Sequence, residues 1–333
     1  MKAIKFFAIS AMAAAMITSC SSEDELSQSN YPSDNIVRVT AGVNNAKTRA
    51  EGAGTPLEQP LSLTVVNKNA PKYTYTDKVF SKSSGDWACS ETLLWQKSTT
   101  PVDIVAIAPA QTGKFKGVYA NGSIQPIAYS VADDQSEKSD NNDLLYYYAK
   151  DFNPGTSLDE KGKLNIQFNH AFCMIDINVT LGTEFNKPKV LDDSPIVKVT
   201  LGGTKIAANV DVTKAATSVV TASETAAATD ITTTKGTFTK AANAEVNAIS
   251  HFSCIAIPQT VAANTFKVSL MTAGKRYEWT SDKEITLQSG YRYTLNLSMG
   301  NDVVLLKGGS GSDNGGISAT PWGPGTGGSL ETE

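Results

Sequence analysis

The chain has 333 residues, a formal net charge of −4 at pH 7 and a 41% share of hydrophobic residues. The absence of any basic run, with a pI near 5.4, argues against nucleic acid as a partner. Beyond the N-terminus no segment is apolar enough to span a bilayer.

Lys2 and Lys5 precede an apolar run over residues 6–17, which is too short for a permanent membrane helix. Residues 1–19 therefore read as a targeting segment. The run ends at Ile17-Thr18-Ser19-Cys20, which resembles the lipobox of bacterial lipoproteins. In that class the cysteine thiol receives a diacylglycerol and becomes the first mature residue, so the resemblance implies lipidation at Cys20. Each buried methylene adds about 0.8 kcal/mol, and more than one acyl chain anchors stably. Ser21-Ser22-Glu23-Asp24-Glu25 resembles the export signal that sends Bacteroides-type lipoproteins to the outer face of the outer membrane. Residues 20–33 read as an acidic, polar tether.

Strand signals dominate the rest, about 310 residues, a length that suggests two domains. Val37, Val39, Ala41 and Val43 alternate with Arg38, Thr40 and Gly42, giving a half-buried strand over residues 36–43. Leu61, Leu63 and Val65 repeat the pattern, and residues 73–80 form another alternating run. Val102–Ala108 is almost continuously apolar and is closed by Pro109. Gly122-Ser123 marks a hairpin-like turn. A polar stretch at 133–143 leads to apolar, aromatic residues 144–148. The turn-rich residues 151–163 read as a linker, giving an N-terminal β-sandwich at 34–155 and a C-terminal one at 156–333.

Leu164, Ile166 and Phe168 share one parity, whereas Cys173, Ile175, Ile177, Val179 and Leu181 take the other, a shift that reads as a β-bulge. Further strands are expected at 196–201, 237–239, 251–257, 265–271, 276–279 and 291–297, with Gly274 turning between two of them. Residues 213–234 read as loops with edge strands. Gly308 to Gly316 reads as a flexible linker, and the tail from Gly323 is Gly-rich. With no amphipathic helix of three turns, the class is all-β.

Nothing in the chain assembles a catalytic, metal or cofactor site. His170 and His251 lack any nucleophile motif and read as packed or turn residues. Asp133, Asp134, Glu137, Asp140 and Asp143 form an acidic loop without calcium-loop spacing. Trp87 and Trp95 read as core or edge packing. With Cys20 lipidated, Cys89, Cys173 and Cys254 are an odd set. Buried free thiols are the default for Cys173 and Cys254, and a bridge between them stays open.

Several stretches, in order, resemble the fimbrillin family, the type V pilins and related surface lipoproteins of Bacteroides and its relatives. They are the lipobox with its acidic run; the strand at 36–43 followed by Lys47-Thr48-Arg49-Ala50; Leu94-Trp95 leading to residues 102–109; Asp143-Leu144-Leu145-Tyr146 with Ile166-Gln167-Phe168-Asn169-His170-Ala171; Gly290-Tyr291-Arg292-Tyr293-Thr294-Leu295; and residues 317–322.

The resemblance implies two tandem transthyretin-like β-sandwich domains and a surface pilus subunit on the outer membrane. It implies an arginine-specific cut between Arg49 and Ala50, loss of the strand carrying Ile36, Val37, Val39, Ala41 and Val43, and replacement by a neighbour's strand. Donor candidates are Val303, Val304, Leu305 and Leu306, and Ile317 with Ala319. Pro321 and Pro324 interrupt a longer ladder, so the tail is marginal for a shaft subunit, and a tip or accessory subunit is a serious variant. The partners implied are other pilin subunits, the outer-membrane lipid anchor, and a host or bacterial surface ligand. The alternative reading is a monomeric surface lipoprotein that binds glycans or host ligands.

Overall fold

A computed structural model of the chain describes residues 30–44, 55–110, 118–137, 142–306 and 317–322. The expected targeting segment, Cys20, Arg49, Ala50, the 308–316 linker and the tail from Gly323 lie outside the described residues.

From its first strand to His170 the chain forms β1 (Val39–Val43), β2 (Thr55–Pro56), β3 (Leu61–Val66), β4 (Tyr75–Ser83), β5 (Asp86–Cys89), β6 (Val102–Ala108), β7 (Tyr119–Ala120), β8 (Ser123–Ile124), β9 (Ile127–Ser130), β10 (Leu145–Phe152) and β11 (Leu164–His170). Eight of these form one sheet in the order β2-β1-β11-β10-β6-β3-β4-β5. Asn121 and Gly122 both have positive φ (51° and 79°), which gives the tight turn of the β7–β8 hairpin.

The chain then forms β12 (Cys173–Leu181), β13 (Ile196–Gly202), β14 (Ala207–Val210), β15 (Val220–Ala222), β16 (Ile231–Thr232), β17 (Thr234–Thr239), β18 (Ile249–Ala256), β19 (Thr260–Val261), β20 (Lys267–Thr272), β21 (Arg276–Thr280), β22 (Ile285–Thr286), β23 (Tyr291–Met299), β24 (Val304–Leu306) and β25 (Ser318–Pro321). A six-stranded sheet runs β17-β18-β12-β23-β24, with β25 also on β23, and faces a four-stranded sheet, β16-β13-β20-β21. β9 crosses from the first half of the sequence to pair with β14.

Two apolar cores result, and they share a wall. Every residue of β6 is buried. Ile104, Ala106 and Ala108 enter the first core, while Val105 and Ile107 enter the second. A strand buried on both faces needs the unbroken apolar run that Val102–Ala108 supplies. β12 alternates strictly, with Cys173, Ile175, Ile177, Val179 and Leu181 fully buried in the second core. Among the described residues, the helical segments are one four-residue turn at Pro154–Ser157 and short 3-10 pieces.

The all-β expectation holds, and two local expectations are corrected. Residues 151–163 do not separate two domains: the strand after them, β11, pairs with β1 and β10 in the first sheet. The boundary placed at 155/156 therefore falls inside that sheet's run of strands. The parity shift after Phe168 is not a bulge either. At Ala171 and Phe172 the chain leaves the first sheet and enters the second, so each run points at its own core. Cys173 and Cys254 are free and buried, on adjacent strands, with the Cys173 thiol donating to the Ala256 carbonyl at 3.2 Å. Burial pushes both thiols up.

Because β11 belongs to the first core, Ile166→Ala should cost about 2–5 kcal/mol in urea unfolding. Val197→Ala, at a 62% exposed position, should change stability by less than about 0.5 kcal/mol.

Candidate functional site

The N-terminal strand seals a seam. Its leading residues pair with the 93–95 segment: Val37 N–H donates to the Leu93 carbonyl at 2.9 Å, and Trp95 N–H donates to the Asn35 carbonyl at 2.8 Å. Ile36 and Leu94 form an antiparallel bridge. On its other side the strand meets β11. Leu164 N–H donates to the Arg38 carbonyl at 2.8 Å, and β1 then runs parallel to β11 from Val39 opposite Leu164 to Val43 opposite Phe168. Asn44 extends the contact through its N–H to the Phe168 carbonyl (2.7 Å) and its side-chain amide to Asn169 Oδ1 (2.8 Å). The short β2 covers only Gly42 and Val43.

Alternation sets what the strand buries. Val37 and Val39 are 4% and 3% exposed, and half-buried Ala41 and Val43 pack against the same core. That core includes Leu93, Trp95, Leu164, Ile166 and Phe168, with Trp95 stacked on Phe152 at 6.1 Å. Arg38 points outward and grips Asp34 with both terminal nitrogens, at 2.9 and 2.5 Å, while Ile36 N–H donates to the same carboxylate at 3.1 Å. The Arg38 guanidinium holds the Asp34 carboxyl at about 2.

The C-terminal candidates lie in the other half of the fold. β24 and β25 lie on β23, β24 pairing with Leu297–Met299 and β25 with Tyr291–Thr294. Val304 and Ile317 are buried in the second core, Val303 and Leu305 are exposed, and Ala319 is exposed. Leu306 pairs with Leu297. Trp322 N–H donates to the Gly290 carbonyl at 2.7 Å, and its ring stacks on His170 with centroids 3.8 Å apart. His170 Nδ1 lies 2.9 Å from Asp143 Oδ2. Gly290 N–H in turn donates to the Phe172 carbonyl, and Ala171 N–H to the Leu144 carbonyl. Stretches far apart in sequence thus meet at one junction between the two sheets.

His251 Nδ1 lies 2.8 Å from Asn178 Oδ1, with no nucleophile in the pair. Among the described residues no three His, Cys, Asp or Glu side chains gather as metal ligands. Sequence reasoning missed Gln135, whose amide donates to the Ile255 carbonyl and accepts from Ile255 N–H, stitching the acidic loop to β18. It also missed the His170–Trp322 stack. Both motifs were visible separately, but nothing local says that they touch.

A sequence model of a family described as fimbrillin-like matches residues 44–322. Comparison with curated proteins finds no match. Among solved structures, a candidate cell adhesion protein from Bacteroides uniformis is 13% identical, with 87% of this chain and 99% of that one covered at a TM-score of 0.54. A candidate cell adhesion protein from Bacteroides ovatus is 15% identical over 86% of this chain and 97% of that one, at 0.59. A fimbrial protein from Bacteroides vulgatus is 15% identical over 86% and 99%, at 0.51. At such identities the likeness is one of fold.

The depressed Asp34 gives a pH test. A carboxyl whose folded value lies below its ordinary 3.8 stabilises the fold fully above that value and loses the contribution as pH falls through about 2. Amide exchange at Ile36 and Arg38 should be slower in the parent than in Asp34→Asn at pH 5, and the difference should vanish below pH 2.

Proposed function

The chain belongs to the fimbrillin-like family, and from that premise we propose that it is a cell-surface pilus subunit or adhesin whose first strand is exchanged during assembly. The single observation that carries this reading is the seating of β1. It is the first described strand and it closes the first core, with Val37 and Val39 buried and its ladder made to β11 and residues 93–95. Its last described residue, Asn44, stands just ahead of the segment that carries Arg49.

The energetics suit a part that is needed but replaceable. Each buried valine contributes about 1.5–3 kcal/mol, and each ladder hydrogen bond about 0.5–1.5 kcal/mol net. Together with the half-buried Ala41 and Val43, the strand is worth on the order of 5–10 kcal/mol. A whole domain has only about 5–15 kcal/mol, so an empty groove is poorly tolerated. In the proposed sequence the precursor is held at the outer membrane by lipid on Cys20. An arginine-specific protease cuts between Arg49 and Ala50. The strand then loses the effective concentration that its covalent link supplied. A neighbour's strand with apolar residues at alternate positions takes its place by β-augmentation. The contact is head-to-tail and propagates. The role is structural and calls for no catalysis or cofactor.

Strand β25, with its Ile317-Ser318-Ala319-Thr320-Pro321 run, offers a short alternating donor that ends at a residue unable to donate a ladder hydrogen bond. The seating of both C-terminal candidates in their own sheet, with Val304 and Ile317 buried, favours a subunit that accepts a strand more readily than it gives one. A tip or accessory subunit fits this, as does the second reading of a monomeric surface lipoprotein that binds glycans or host ligands.

N-terminal sequencing of assembled material should give a start at Ala50, and Arg49→Ala should abolish polymer ladders while leaving soluble precursor. Polymers that begin at Cys20 contradict the proposal.

A further inference from the structure

We infer that the seating of β1 and the docking of the C-terminal strand β25 are coupled through β11, with His170 and Trp322 as the positioning pair. The two neighbours of β11 hold it very unequally. β1 pairs with it from Leu164 to Phe168, and Asn44 adds bonds to Phe168 and Asn169. β10 pairs with it only at Asn169 and His170. Without β1, the described main-chain hold on the strand is reduced to those last two residues and the adjoining bond from Ala171 N–H to the Leu144 carbonyl. One of the two residues is His170, the platform on which Trp322 stacks at 3.8 Å and 11° between ring planes.

On the other side, β25 is held by a short ladder and by a 3.4 Å hydrogen bond from the Ser318 hydroxyl to the Thr294 carbonyl. Its pairing with β23 runs only from Tyr291 opposite Pro321 to Thr294 opposite Ser318. Ala319, Thr320 and Pro321 are exposed, and Ile317 just before the strand is its one fully buried apolar anchor. The aromatic stack and the Trp322-to-Gly290 hydrogen bond close its far end. Loosening the end of β11 therefore loosens the clasp on β25. The consequence for assembly rests on the strand-exchange reading: opening the acceptor groove and freeing the C-terminal strand become one event, and the uncut precursor keeps both closed. The coupling itself does not depend on that reading.

Backbone amide exchange on the intact full-length chain tests it. His170→Ala removes the platform without touching β1. Amides of Ser318, Ala319, Thr320 and Trp322 should then exchange about fivefold faster, as expected for loss of one aromatic stack, while those of Thr40 and Gly42 stay protected. His170→Phe, which keeps a flat ring under Trp322, should restore most of the protection. Val39→Asn unseats β1 from its apolar groove, and the same acceleration should appear at Ser318, Ala319, Thr320 and Trp322 as protection at Thr40 and Gly42 is lost. Unchanged exchange at these C-terminal amides in His170→Ala overturns the clasp, and unchanged exchange there with β1 unseated overturns the coupling. Neither arm uses protease or polymer. A failure of Arg49 cleavage would appear only in the assembly experiment.

Discussion

The first core is closed by one strand that lies between β11 and residues 93–95, and most of what is proposed for the molecule follows from that placement. Val37 and Val39 cover Leu93, Trp95, Leu164, Ile166 and Phe168 from one side. The rest of that core is built by strands joined through the chain's own turns. Among the described residues β1 is the first strand of the chain, so its removal would draw no other described strand with it. Its ladder to β11 is made of main-chain bonds, and the side chains it turns to the core are three valines and an alanine. Neither feature is particular to this segment, and any strand with the same alternation offers both.

The shared wall limits what would open if the strand left. The back of β6 and of its neighbour β10 belongs to the second core, where Val105, Ile107 and Tyr146 pack with Tyr129 and Phe172. That core draws on β12, β13, β20 and β23, none of which touches β1 in the ladder. Unseating β1 opens one face of the first sheet while the other stays buried. β11 is the element most exposed to the change, since it owes most of its pairing to β1.

Strand positions were largely legible in the sequence because alternation is local. The 36–43 run, the continuous apolar stretch of β6 and the strict alternation of β12 all follow from side-chain type at fixed spacing, while the turn expected at Gly122-Ser123 falls one residue earlier, at Asn121-Gly122. Sheet membership was not legible, because it is decided by partners that can lie far off in sequence, as Val39 and Leu164 do. The same parity break between Phe168 and Cys173 suits a bulge in one strand or a step between two sheets, and only the partners of β11 decide. The junction of Asp143, His170, Gly290 and Trp322 was hidden for the same reason, although each of its stretches stood out. Solved structures of similar fold at 13% to 15% identity accord with this: the fold recurs where individual residues do not.

The most direct test of a replaceable first strand is binding in trans. The chain would be cut within residues 45–54, freed of its leading segment and heated with and without a synthetic peptide spanning residues 35–44. Because a ligand that binds only the folded state stabilises it by mass action, the peptide should raise the unfolding temperature in a concentration-dependent way. A peptide with Val37 and Val39 changed to Asn should not. An unfolding temperature indifferent to the parent peptide would mean that the groove does not accept a free strand, and would contradict the account.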